Sequence, residues 1–186
     1  MATILTHGVV AATLGKALFP ERMPARFWAL AVLCAVLPDL DVIGFRLGVR
    51  YADLFGHRGF SHALLFALIA AVLVTVAAFR DERVFSRRWW GLVLFFLAAG
   101  ASHGVLDAMT NGGYGVAFFA PFDRTRYFFP WQPLQVAPIG VQGMFSRWGW
   151  NVITSELLWI WLPLAVLLAL SIRIRRRASQ RPPLVR

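Results

Sequence analysis

Eight ionisable residues stand where the chain is otherwise apolar: His7, His57, His62 and His103, with Asp39, Asp41, Asp107 and Glu156. Charge placed in hydrocarbon costs several kcal/mol, so such residues face a protein interior with partners. Histidine and carboxylate without thiolate suit zinc, manganese or iron, and zinc is the commonest choice for hydrolysis. The spacing sharpens this. His103 and Asp107 stand at i and i+4, on one helix face about 6 Å apart. Asp39 and Asp41 are two apart and diverge on a regular helix or strand. Pro38 and Gly44 imply that the helix ends there, so both can turn inward. His57 and His62 bracket Gly59, which puts His57 on a loop and His62 in the first helical turn. Asp39, His62, His103 and Asp107 form the centre of the expected ligand set. His7, Asp41 and Glu156 are either ligands or hydrogen-bonding partners of ligands. The plainer use of all these residues is helix capping and interhelical hydrogen bonding.

The elements that must position them are membrane helices. The chain has 186 residues, of which 59% are hydrophobic and only 15% charged, and its mean hydropathy is +0.63. A soluble domain carries about 25% charged residues, so a water-soluble globule is excluded, and so is disorder. A spanning helix needs about 20 apolar residues. Four segments approach that length: 24–43, 60–79, 89–109 and 152–172. A fifth, 4–19, is shorter and is either a span or a re-entrant segment; without a basic start or a cleavage site it is not a signal peptide. The predicted fold is an all-α, polytopic membrane helical bundle of four to five spanning segments. The single domain runs over 1–172, with outer loops at about 44–59 and 110–150, and a basic cytoplasmic tail at 173–186. The lone Cys34 lies in an apolar run and reads as a small buried hydrophobe.

Orientation follows from lysine and arginine placement. The link after the first segment, the 80–88 loop and the tail carry 13 of the 19 positive charges. They alternate correctly if all three face the cytoplasm. The arginines alone then place all eight ionisable residues at the opposite, outer face. The net charge of +10 is thus a membrane-flanking pattern, and no specific nucleic acid binding is expected. The expected partners are the phospholipid bilayer and a small-molecule or lipid substrate. The NGGYG stretch lacks the phosphate-loop pattern and its lysine, and Asn111 to Gly113 read as a turn.

The order of motifs carries a resemblance. THG near the start, then LPDLD, HRGFSH and SHGVLDAMTNGG, resembles the inner-membrane metal-dependent hydrolases also called the LexA-binding, inner-membrane-associated family. The likeness covers roughly His7 through Leu162 and implies a hydrolase without naming its substrate. The order of ligands is also similar to that of zinc-dependent phospholipase C and related all-α nucleases, which cleave phosphoesters with clustered zinc ions. That resemblance makes His7, Asp39, His57 or His62, His103 and Asp107 the ligands, with Asp107 able to bridge two ions. Its later histidine pair is absent here, so one or two divalent ions, zinc first and manganese or iron next, are expected.

Taken together, the expected ligands are His7, Asp39, His57, His62, His103 and Asp107. Asp41 or Glu156 is the expected general base, and Arg58, inside HRGFSH, clamps a phosphate or meets a lipid headgroup. The expected function is metal-dependent hydrolysis of a phosphoester or lipid-like substrate at the periplasmic face of the bacterial inner membrane, the C-terminus being cytoplasmic. The rival classes are an ion or metal transporter and a non-catalytic membrane protein with a structural metal.

Overall fold

A computed structural model describes residues 1–19 and 21–179. It is helical throughout: among the described residues there is no strand, only the isolated bridges Thr110–Leu134 and Val116–Tyr127. The helix α1 (Ile4–Leu18) starts at Thr3, whose hydroxyl accepts from the Thr6 N–H, the ordinary use of threonine at an N-cap. Next comes α2 (Ala25–Val36), which tightens into a 3-10 stretch over Leu37–Leu47. Pro38 explains the change: it has no N–H for the α ladder and its ring crowds the preceding turn. Gly48 closes the stretch in the left-handed conformation, at φ +82°. The next helices are α3 (Leu64–Ala78) and α4 (Arg87–Ala108), the latter capped by Ser86. The last are the single turn α5 (Val141–Met144), then α6 (Arg147–Glu156) and α7 (Leu162–Ser179). A π turn, Leu157–Trp161, joins α6 to α7 without a break. Pro163 stands two residues beyond it, and the wider turn makes room for a ring that an α ladder would reject.

The five apolar helices fall where the sequence places its segments. Among the described residues three stretches are long and apolar enough to cross a bilayer: Ala25–Leu47, Arg87–Ala108 and Arg147–Arg177. Ile4–Leu18 and Leu64–Ala78 are shorter, at 15 residues each. The centre of the bundle is α4, with 61% of its most apolar stretch buried against 6% for the last long helix. Phe27, Ala31, Leu92, Phe95, Phe96 and Ala99 form the core between α2 and α4. Small residues let α3 lie close on α4: a Cβ on Gly100 would stand 3.2 Å from that of Ala67, the packing that apolar solvent favours. Cys34 is buried in this core.

Three boundaries differ from the sequence reading. The 3-10 stretch carries helix to Leu47, so the first four residues of the expected 44–59 loop are helical. The 110–150 loop contains α5 and the start of α6. Residues 173–179 continue α7 as helix, while 180–186 lie outside the described residues.

The ends of the bundle differ in chemistry. At one end Arg88 pairs with Glu82 at 2.9 Å and Arg26 with Asp81 at 3.8 Å. There the Arg175 guanidinium donates to the carbonyls of Lys16 and Ala17. The eight ionisable residues gather at the other end.

Candidate metal centre

Three elements deliver the four ligands: the 3-10 stretch after α2 (Asp39), the turn before α3 (His62), and the last two turns of α4 (His103 and Asp107). All four are buried, and a ligand atom from each lies within 4.8 Å of the others. The hydrogen bonds around the imidazoles fix their free nitrogens. His103 Nδ1 faces the Ala35 carbonyl at 2.7 Å; a carbonyl only accepts, so Nδ1 carries the proton and Nε2 the lone pair. His62 Nδ1 lies 3.2 Å from Asp41 Oδ2 and donates to it, so in the neutral ring its Nε2 is likewise the lone pair. These two lone pairs face each other at 3.1 Å. Asp39 Oδ1 is 3.2 Å from His103 Nε2 and 3.7 Å from His62 Nε2. Asp107 Oδ2 is 3.9 Å and 3.5 Å from the same two atoms.

With both imidazoles neutral, four electron-rich atoms converge here, which is repulsive unless a cation sits among them. Buried polar atoms normally find partners, yet Asp39 Oδ1 and Oδ2 and Asp107 Oδ2 have no hydrogen-bond donor among the described residues. Tetrahedral zinc at ~2.0–2.1 Å from nitrogen or oxygen ligands would have ligand-to-ligand edges of about 3.3 Å. The observed 3.1–3.9 Å contacts fit such an ion after small adjustment.

Around this group the other expected residues take distinct places. Asp41 straddles His57 and His62: Oδ1 accepts from His57 Nδ1 at 2.7 Å, and Oδ2 accepts from the Ser61 hydroxyl at 2.6 Å. On the 3-10 stretch Asp39 and Asp41 therefore flank His62, one beside Nε2 and the other beside Nδ1. Asp41, His57 and His62 form a second compact group, joined by these hydrogen bonds. His7 stacks on His103 with ring centroids 3.7 Å apart. Its Nε2 is 3.6 Å from Asp107 Oδ1, and neither ring nitrogen has a hydrogen-bond partner among the described residues.

Arg58 is fully buried and spends its guanidinium on the protein. Nε is 3.2 Å from Asp107 Oδ2, Nη1 donates to the Gly112 carbonyl, and Nη2 donates to Thr110 Oγ1. Its backbone sits at φ +62°, in a loop so tight that a Cβ on Gly59 would meet the Leu54 carbonyl at 2.2 Å. Gly113 gives the guanidinium its room, since a Cβ there would stand 2.8 Å from both Arg58 Nη1 and the Tyr51 hydroxyl. Burial raises the Tyr51 phenol above its ordinary pKa, so it stays protonated beside Arg58. Arg126 ties the loop down by donating to the carbonyls of His57 and Tyr51.

Glu156 stands apart from the four-residue group. Both of its oxygens are taken: Oε1 accepts from the Thr3 N–H, and Oε2 from the Thr3 and Thr6 hydroxyls. It ties α6 to the start of α1. Replacing it by glutamine leaves one amide face unable to accept, at an expected cost of about 1–3 kcal/mol. Thermal unfolding should show that loss while zinc content stays at the wild-type level. Lost zinc with unchanged stability would instead make Glu156 a ligand.

Several partners escaped the sequence reading. The Ala35 carbonyl, Ser61, Thr110 and the pair Thr3 and Thr6 all orient charged groups here. Only Ser61 carried a local signal, its place beside His62 in HRGFSH.

The fold and the site together define an integral inner-membrane protein of helices, with a buried Asp/His cluster fit for a metal ion at one end. The chain belongs to the YdjM inner membrane protein family, whose model matches residues 1–178. It is similar to the inner membrane protein YbcI of Escherichia coli (strain K12), at 39% identity over 163 residues, 88% of this chain and 92% of that one. No solved structure matches it.

Proposed function

We propose that this protein is a membrane-embedded metal-dependent hydrolase acting on a phosphoester or lipid-like substrate at the periplasmic face. The observation that carries the reading is the convergence of Asp39, His62, His103 and Asp107 on one point, with Nδ1 of each imidazole already engaged outside the cluster and Nε2 turned into it. A bound divalent ion, zinc first, lowers the pKa of a water on it and polarises the bond under attack. Asp39, His62, His103 and Asp107 hold it. Asp41 and the Ala35 carbonyl fix the tautomers and orientations of the two imidazoles, as outer hydrogen bonds do for metal-bound histidines. Arg58 holds Asp107 in place. Asp41 is the better placed proton acceptor of the two expected carboxylates, because it touches the ligand candidate His62, whereas Glu156 stands apart from the cluster and binds Thr3 and Thr6. The likeness to phospholipase C in ligand order, and a bundle of four to five spans with α1 and α3 crossing, belong to this proposal.

A second reading has its own observation: four protein ligands can close a tetrahedral shell, as in structural sites. Asp39 favours hydrolysis, because it lines an open cleft and so gives access from outside. Transport is less favoured, because the Phe27, Phe95 and Phe96 core fills the bundle beyond the cluster. The zinc-loaded protein should turn over at least one member of a panel of phosphoesters and lipid phosphates, and His103→Ala should lose at least about 100-fold of that rate. Stoichiometric zinc with no turnover on any member would leave the structural ion as the reading.

Orientation is tested separately. A cysteine at Gln132 should react with an impermeant maleimide added from the periplasm, and one at Arg83 only after the membrane is opened. The native Cys34 is buried and should not interfere. The reverse pattern would overturn the periplasmic placement.

A further inference from the structure

A cleft of about 350 Å³ opens where the start of α1, the 3-10 stretch and the segment before α5 meet. That volume falls in the range of small-molecule sites. Its walls are apolar, with Ile4, Leu5, Val42, Ile139 and Met144 among them, and its one carboxylate is Asp39. Asp39 is 94% buried by side-chain environment, being only 6% exposed, and both of its oxygens lack a donor among the described residues. It lies in the cleft wall and in the ligand cluster at once. On a 3-10 helix residues i and i+3 eclipse, so Val42 stands directly along the cleft from Asp39. Ile4, Leu5 and Ile139 are 57%, 65% and 60% exposed at the rim, continuous with the apolar outer surface of the bundle.

We propose that this cleft holds the hydrocarbon chain of an amphiphile drawn from the bilayer, with its anionic head at the Asp39 end. The chemistry of the two ends selects that occupant. Apolar walls open to the lipid-facing surface suit an acyl or alkyl chain, and burying each methylene is favourable by about threefold to fourfold in affinity. The inner end is a cluster that calls for a cation, and a cation there takes an anionic head rather than a neutral or cationic one. A water-soluble phosphoester would leave the apolar walls unused. The polar end of this proposal rests on the metal reading; the apolar end rests on the cleft alone.

The test uses the full chain in phosphatidylcholine nanodiscs, with zinc content measured on the same samples. Ethyl-, hexyl- and decylphosphonate are titrated, and partition into protein-free nanodiscs is subtracted. Affinity should rise by about threefold to fourfold per methylene until the cleft is full. Ile139→Asp and Leu5→Asp at the rim should flatten that slope while zinc content and ethylphosphonate affinity stay near wild type. A wild-type slope in both variants, with zinc bound, would overturn the cleft and leave the metal reading standing. A chain-length slope that the variants abolish in a protein that binds no zinc would sustain the cleft and overturn the metal reading.

Discussion

Replacing His103 or His62 by alanine should lower the affinity for zinc by more than about 100-fold. Each supplies one of the two imidazole nitrogens that face each other across 3.1 Å. Removing a group that only orients a ligand typically costs 10–100-fold, so Asp41→Asn should fall in that lower band. The order of effects is the test of the assignment. Zinc affinity can be measured by competition with a chromogenic chelator on the detergent-solubilised protein, with total metal determined on dialysed samples. Wild-type metal content in both alanine variants would defeat the metal centre. The convergence of His62, Asp39 and Asp107 would then be an ion network around a protonated imidazole. An equal loss in all three variants would remove the distinction between holding the ion and orienting its ligands.

Arg58→Met should destabilise the protein by about 3–5 kcal/mol, the cost of leaving one member of a buried ion pair without its partner. Arg58 and Asp107 are both fully buried and lie 3.2 Å apart. The methionine fills much of the volume but returns nothing to Asp107, Thr110 or the Gly112 carbonyl. Unfolding in mixed micelles, in metal-free buffer, measures the loss. Adding Asp107→Asn should recover part of it, because the buried charge then disappears with its partner. A loss under about 1 kcal/mol would mean that Asp107 is balanced by another group, and that Arg58 is free to meet a substrate phosphate as HRGFSH first suggests.

The two predictions concern the same carboxylate from opposite sides. Asp107 Oδ1 accepts from the Ala2 N–H at 2.9 Å, and its Oδ2 lies between Arg58, His62 and His103. A zinc ion should therefore stabilise the folded protein by linkage, since ligands bind only the native cluster. Its effect should be larger in Arg58→Met than in wild type, where the guanidinium already meets part of the charge.

Much of this architecture is legible in the chain because hydrocarbon imposes a severe rule. Apolar runs must be helices, arginines must stay out of them, and any carboxylate or histidine inside one must have a reason. The segments around Phe27, Leu64 and Phe95 are found on that basis, and so is the gathering of His7, Asp39, Asp41, His57, His62, His103, Asp107 and Glu156 at one end. The i, i+4 pair of His103 and Asp107 is also a local fact, set by helix geometry alone.

What the sequence does not contain is which of those residues face each other. Asp39 and Asp41 are equivalent on paper. The 3-10 path after Pro38 sets one against His62 Nε2 and the other against Nδ1, which makes one a ligand candidate and the other its support. Glu156 looks like a base until α6 is packed on α1, where Thr3 and Thr6 take both its oxygens. Arg58 looks like a phosphate clamp until the loop turns it inward onto Asp107. The apolar cleft beside Asp39 needs three separate segments, at 1–5, 39–42 and 137–144, to form its walls. Composition and period fix how each segment meets the solvent, because that depends only on its own residues. Hydrogen-bond partners depend on which faces pack together, and only the assembled bundle decides that.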